Sequence, residues 1–250
     1  NNLWNLNISF ISEEDFQKNI KDTVLNYFGA MNSVDLNSFN SNIIDPIKLI
    51  FDMKVYSKTP ESLINDEINR QIDKTNSNSI GYFNQYMFKY IQNCEVPTAG
   101  FDVIYTNPNT GKKIYVEMKN KHNTMNSDSS NNVFNKMINK LADDPNGVCY
   151  LVEVIATRSQ NIVWSKNGNI DERIRRVSID QFYYEVTGVE DAFKQLCDKL
   201  PEELDIVIRS LSTETNGENT VLNQLSEYNP DIIKSMFLLA FNSYKGFNED

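Results

Sequence analysis

The sequence predicts an α/β fold: a mixed sheet made from a β-hairpin, a crossover helix and a parallel strand, with helical additions at both ends of the chain. Three observations carry this. First, Gly100 to Thr124 reads as two strands around a turn, Gly-Phe-Asp-Val-Ile-Tyr and Lys-Ile-Tyr-Val-Glu-Met-Lys, with Asn107, Pro108, Asn109, Thr110 and Gly111 supplying turn chemistry between them. Second, Val133, Phe134, Met137, Ile138 and Leu141 follow at helical spacing. Third, Val148 to Ala156 is an apolar run interrupted only by Glu153, the pattern of a strand covered on both faces. A helix between the second and third strands implies that they run parallel.

The remaining elements are justified in chain order. Ser12 followed by Glu13, Glu14 and Asp15 is a helix start, and Phe16, Ile20, Val24 and Leu25 give that helix one apolar face. Within Leu36 to Val55, Pro46 marks the start of another. Pro60 to Lys74 reads as helical, with Ile64, Ile68 and Ile72 on one face. Asn76 to Ser79 is expected to break the pattern. Gly81 to Gln92 then resumes it with Tyr82, Phe83, Tyr86, Met87, Tyr90 and Ile91 as an aromatic face, which is core packing before it is anything else. Asn120 to Asn132 reads as a polar loop and Thr157 to Trp164 as another, followed by Arg173, Arg175 and Arg176. Beyond Tyr184 the chain is acidic and helical: Val189 to Leu200, Glu202 to Leu211, and a last helix capped at Asn229-Pro230 and running to Tyr244. Ser212 to Thr220 carries no readable chemistry. There are no repeats, so one domain over 1–250 is expected, with its core at about 60–184 and a helical part at 185–250.

Bulk properties narrow the function only a little. The longest apolar run, Met236 to Phe241, is far too short to span a membrane. No signal-peptide pattern opens the chain, and a start at Asn1 rather than Met leaves room for a trimmed end. Cys94, Cys149 and Cys197 are widely spaced with no Cys-x-x-Cys pair, which reads as reduced thiols rather than a metal or disulfide framework. The net charge is −10, which argues against a polyanionic partner at first sight. Its distribution argues less strongly. Lys plus Arg against Asp plus Glu runs 8 to 12 over residues 1–99, 11 to 9 over 100–184 and 5 to 13 over 185–250. Only the middle is basic, so nucleic acid is permitted as a partner but not indicated.

The middle third also holds the candidate site. Side chains alternate along a strand, so Tyr115, Glu117 and Lys119 share one face and Ile114, Val116 and Met118 the other. On the preceding strand Phe101, Val103 and Tyr105 are expected on one side and Asp102 on the other. Paired as a hairpin, the strands bring Asp102 and Glu117 together with Lys119 beside them. Two carboxylates and an amine make a poor core and a good cradle for a hard divalent cation such as Mg²⁺.

An Asp…Glu-x-Lys set on consecutive strands, completed by a helix and a buried strand, resembles the PD-(D/E)XK nucleases. Phe101 stands where a Pro often precedes the Asp. Longer blocks resemble one subfamily of Type II restriction endonucleases, those cutting GGNCC sites. They are Glu117 to Ser127, Asn42 to Lys48, Ile80 to Gln85, Leu151 to Ala156, Ser159 to Ile162 and Arg173 to Asp180. Asn84 stands where that subfamily usually has His.

The resemblance implies a bacterial, cytoplasmic restriction enzyme that hydrolyses double-stranded DNA with Mg²⁺ and leaves 5′-phosphate ends. It also implies a homodimer and a cognate DNA methyltransferase as genetic partner. Asp102, Glu117 and the Met118 backbone carbonyl would hold the metal, and Lys119 would orient the attacking water. Glu153 could hold a second metal or pair with a cation in the sheet, the structural reading being preferred. Glu67 and Gln85 stand where the superfamily often places an extra site residue. Asn120, Lys121, His122, Asn123 and Thr124 leave the strand that carries Glu117; Arg158, Ser159, Gln160 and Asn161 leave the neighbouring parallel strand on the same edge. These nine are the DNA-contact candidates. Arg173, Arg175 and Arg176 could be a phosphate clamp or a solvated helix face. The competing expectation is a catalytically inactive or non-specific DNA-binding protein on the same fold.

Overall fold

A computed structural model describes residues 8–32, 34–211 and 219–241. They form two compact units, the residues up to Asp22 with Ile80–Ser210, and Thr23–Ser79 with those from Leu211 on.

The first unit is built on a six-stranded sheet. Its strands are β1 (Cys94–Glu95), β2 (Val103–Thr106), β3 (Lys113–Lys121), β4 (Val148–Ile155), β5 (Asn161–Val163) and β6 (Ile174–Ser178), in the spatial order β1-β2-β3-β4-β6-β5. The β2–β3 hairpin is antiparallel, and β3, β4 and β6 run parallel. The hairpin turn closes as its residues require. Asn107 Oδ1 accepts from the Asn109 and Thr110 amides at 2.9 and 3.2 Å, and Gly111 sits at φ +69°.

Helices cover both faces. Helix α5 (Ser127–Asp143) joins β3 to β4 and packs Phe134, Met137 and Leu141 on Tyr115, Cys149, Leu151 and Ile174. Helix α6 (Ile179–Thr187) covers the other face, where the Phe182 ring lies 4.9 Å from Phe88 and 6.3 Å from Tyr150. Strand β4 is thus buried on both sides, as its apolar run requires. Helix α7 (Ala192–Ser210) completes this unit.

In the second unit, α2 (Leu36–Ser41), α3 (Pro46–Val55), α8 (Val221–Tyr228) and α9 (Ile232–Phe241) enclose a core that includes Phe39, Leu49, Ile64, Leu225 and Met236. Asp45 caps α3, accepting from the Ile47 and Lys48 amides, with Pro46 in its first turn. Helices α1 (Glu13–Asn32) and α4 (Pro60–Tyr86) contribute residues to both units.

Several expectations are corrected. Asn76 to Ser79 does not interrupt the helix, and α4 runs unbroken from Pro60 to Tyr86. The Ser79 and Thr75 hydroxyls donate back to the carbonyls four residues earlier, at 3.1 Å each, so these side chains do not pull the backbone out of the helix. The expected break at Pro201 is also missing. Leu196, Glu203 and Val207 are buried on either side of it, and α7 continues through. The polar stretch from Thr157 contains edge strand β5, and the Asn120–Asn132 loop ends early where Asn126 caps α5. Arg175 and Arg176 lie on β6, so the arginines form no helix face. Phe101 lies on the Tyr115 face rather than with Val103, because regular strand begins only at Val103; its ring is 5.4 Å from that of Tyr115. Residues 242–244 of the expected last helix and 212–218 of the expected loop lie outside the described residues.

Candidate active site

The site stands on the α5 face of the sheet. Val103 is opposite Val116, and continuing that register one step sets Asp102 level with Glu117. The Asp102 amide donates to the Val116 carbonyl at 2.9 Å, and Asp102 Oδ2 accepts from the Met118 amide at 2.7 Å. The carboxylate is therefore held at the open end of the hairpin by one of its two oxygens. The Gln85 side chain donates to the Asp102 carbonyl at 3.1 Å, tying the end of α4 to the same point. A cleft of about 340 Å³ opens beside it, lined by Tyr82, Gln85, Tyr86, Lys89 and the segment from Val96 to Asp102.

Glu117 is only 7% exposed. Burial raises its carboxyl above the ordinary range, Lys136 pulls it back down and the Asp102 charge pushes it up again; Lys119 lowers it slightly. The pairing register sets Asp102 opposite Glu117, with Lys119 two residues further along the same face of β3. The Lys119 ammonium makes no hydrogen bond or ion pair among the described residues.

Lys136 was not expected here. From α5 its ammonium donates to Glu117 Oε1 and, at 2.7 Å, to the Gly100 carbonyl, and it lies 4.5 Å over the Phe101 ring. Buried Glu117 thus has a counter-charge from the helix that covers it. The sequence held a signal for this: Lys136 and Lys140 fall on the apolar stripe with Val133, Met137 and Leu141. Lysines on the packed side of a helix must reach a polar partner or an aromatic face. Lys140 does the second, 4.7 Å over the Tyr115 ring.

Glu153 faces the same side, next to Lys119 across the β3–β4 register, and is 1% exposed. Arg176 binds it in two-pronged fashion, Nε to Oε1 at 2.6 Å and Nη2 to Oε2 at 3.0 Å. Arg173 is bonded to Asp171, and Arg175 to the Asn161 side chain and carbonyl. Glu67 belongs to the other unit, where Arg70 takes both of its oxygens and Gln71 one. Burial there works against its ionisation, but these bonds more than offset it and hold its carboxyl low.

The DNA-contact candidates emerge where β3 and β4 end. Lys121, His122, Asn123, Thr124 and Arg158 are exposed. The His122 amide donates to the Ile155 carbonyl at 3.0 Å, with Nδ1 of its ring 3.2 Å from the same oxygen, so the two turns are tied together. Asn120 Oδ1 accepts from Asn84 at 3.2 Å, which is what the residue at the departing position does in this chain. Ser159 donates to Asp180 at 2.5 Å, and the Gln160 backbone pairs with Ser178.

Metal chemistry can be tested against this donor set. No group of three or more His, Cys, Asp and Glu side chains converges among the described residues. Mg²⁺ does not need one, because it binds through one or two carboxylates and keeps several waters. Two carboxylates on one face, one of them already drawing an ammonium, fit such an ion.

The sequence pattern of the Eco47II restriction endonuclease family matches residues 8–209. The Type II restriction enzyme Sau96I of Staphylococcus aureus is 34% identical over 215 residues, 81% of this chain and 82% of that protein. The Type II restriction enzyme Eco47II of Escherichia coli is 26% identical over 215 residues, 80% of this chain and 88% of that protein. With a mixed sheet, a helix on each face and the Asp…Glu-x-Lys set at the hairpin, the chain belongs to the Eco47II family of restriction endonucleases, on a PD-(D/E)XK type of core.

Proposed function

We propose that this chain is a Type II restriction endonuclease that hydrolyses double-stranded DNA with Mg²⁺, reads GGNCC, works as a homodimer and leaves 5′-phosphate and 3′-hydroxyl ends. The observation that carries the reading is the approach of Asp102 to Glu117 on one sheet face, with Lys119 two residues further on and unpaired among the described residues. Asp102 and Glu117, with the Met118 carbonyl, would hold the ion. When bound, Mg²⁺ supplies positive charge against the phosphorane and eases deprotonation of a water. Lys119 would orient that water and steady the phosphate. Lys136, from the covering helix α5, pairs with Glu117 and offsets the cost of burying its charge. Arg176 engages Glu153, which leaves Lys119 available beside it. The turns after β3 and β4 present Lys121, His122, Asn123 and Arg158 to phosphates and base edges.

The test is cutting of phage DNA with Mg²⁺. Discrete fragments whose ends map to GGNCC are expected. Glu117→Ala is expected to reduce cutting at least about 100-fold while DNA binding persists. Cutting that survives this change removes the assignment of Glu117. A parent protein that binds DNA without cutting it is the inactive relative instead.

A further inference from the structure

Helix α3 buries Pro46 and Leu49 in the second unit and turns the opposite side to solvent. Ile47, Phe51 and Val55 are spaced one turn apart along that side, and Ile43 and Tyr56 flank it. These five side chains are between 52% and 97% exposed. Taking about 200 Å² for an aromatic side chain, Phe51 and Tyr56 alone leave roughly 260 Å² open, and Ile43, Ile47 and Val55 widen the patch. The largest apolar patch of an ordinary monomer is about 300–600 Å². One side of a standard protein–protein interface is about 800 Å². With the three aliphatic side chains added, the patch stands toward the top of the monomer range and approaches what one partner of a stable pair contributes.

Its charges indicate the occupant. Next to the ridge lies a cleft of about 470 Å³ that Ile43 and Tyr56 help to line. Six of its ionic groups are paired, Lys48 with Asp52, Lys58 with Asp66 and Arg70 with Glu67, and the seventh, Asp45, accepts the first amides of α3. The whole chain carries −10, so two copies repel over most of their surface. This face is nearly neutral and presents both signs, so a second copy meets least repulsion here. It has no excess of positive charge to recruit a nucleic acid. A ridge beside a cleft also suits two-fold packing, in which each copy offers its ridge to the other.

We infer that this face of α3 is the surface through which two copies of the chain pair. The inference rests on the dimeric endonuclease proposed above and names where that dimer forms.

The experiment is light scattering on size-separated protein at about 10 μM for the parent, Phe51→Glu, Ile47→Glu and a control, Tyr184→Glu, altered at an exposed site in the other unit. Circular dichroism checks that each is folded. The parent and control are expected at twice the 28.9 kDa chain mass, and the two α3 variants at 28.9 kDa. The dimer dissociation constant should rise at least about 30-fold in each α3 variant. A parent that runs at 28.9 kDa, or folded α3 variants that stay paired, overturns the inference. DNA cutting by the parent is scored separately. Loss of pairing on α3 substitution in a protein that cuts nothing would retain the interface and sink the endonuclease. Cutting by a parent whose pairing ignores α3 would do the reverse.

Discussion

Arg176→Met removes the guanidinium that satisfies Glu153 while keeping most of the aliphatic stem. Glu153 is almost wholly buried, and both of its oxygens rely on Arg176, at 2.6 and 3.0 Å. Stripping one partner from a buried ion pair costs about 3–5 kcal/mol. The Arg176 side chain is partly open to solvent, so water can reach the gap, and the lower end, about 3 kcal/mol, is expected. For a chain of this size that is a fall in Tm of roughly 6–12 °C. There is a second consequence. Lys119 neighbours Glu153 across the β3–β4 register, so the orphaned carboxylate would draw the Lys119 ammonium away from Asp102 and Glu117. Cutting should then fall further than the loss of folded protein explains. Urea unfolding followed by circular dichroism, with cleavage rates normalised to folded protein, measures both. Adding Glu153→Gln to Arg176→Met should restore most of the stability and part of the rate. An Arg176→Met protein within about 1 kcal/mol of the parent would refute the claim that buried Glu153 depends on Arg176.

Two further outcomes follow from the same face. A methyl group added at Gly147 would lie 2.9 Å from the Tyr115 ring and 3.2 Å from the Asp144 carbonyl; the Tyr115 hydroxyl is already pinned to Asp144 at 2.8 Å. Gly147→Ala should therefore lose about 1–3 kcal/mol, measured by urea midpoint, and an unchanged midpoint would mean the ring can shift freely. Glu117 predicts a pH dependence in metal-free buffer with chelator. Its folded carboxyl lies above the ordinary value, chiefly through burial. Between the unfolded value of about 4.3 and that raised value the unfolded chain binds fewer protons, so this group lowers stability as pH rises, with the full penalty above the folded value. Glu117→Gln should therefore gain on the parent as pH rises through that window. A stability difference that is flat from about pH 4 to 8 would contradict it.

The architecture was readable wherever local pattern and tertiary demand agree. The Asn107–Gly111 turn announced the hairpin, and the helix between β3 and β4 required their parallel pairing. Failures occurred where packing outvotes propensity. Asn76 to Ser79 looks like a loop in isolation, and only its place within a longer buried helix keeps it helical. Edge strand β5 is three residues with no apolar alternation, and it exists because β6 lies beside it. The placing of Asp102, Glu117 and Lys119 on one sheet face was legible because it follows from strand alternation plus one turn. The Lys136 and Arg176 partners were not, since each depends on which side chain of one element faces a buried acid on another.

Because β3 and β4 run parallel, both release the chain at the same rim, where the His122 amide meets the Ile155 carbonyl. Glu117 sits in the sheet several residues back, while Asn123, Thr124 and Arg158 stand exposed beyond the rim and His122, Gln160 and Asn161 are bonded into it. If these tips contact DNA as proposed above, substitutions at Asn123, Thr124 and Arg158 should change which sites are cut before they change the rate at a site that is still bound.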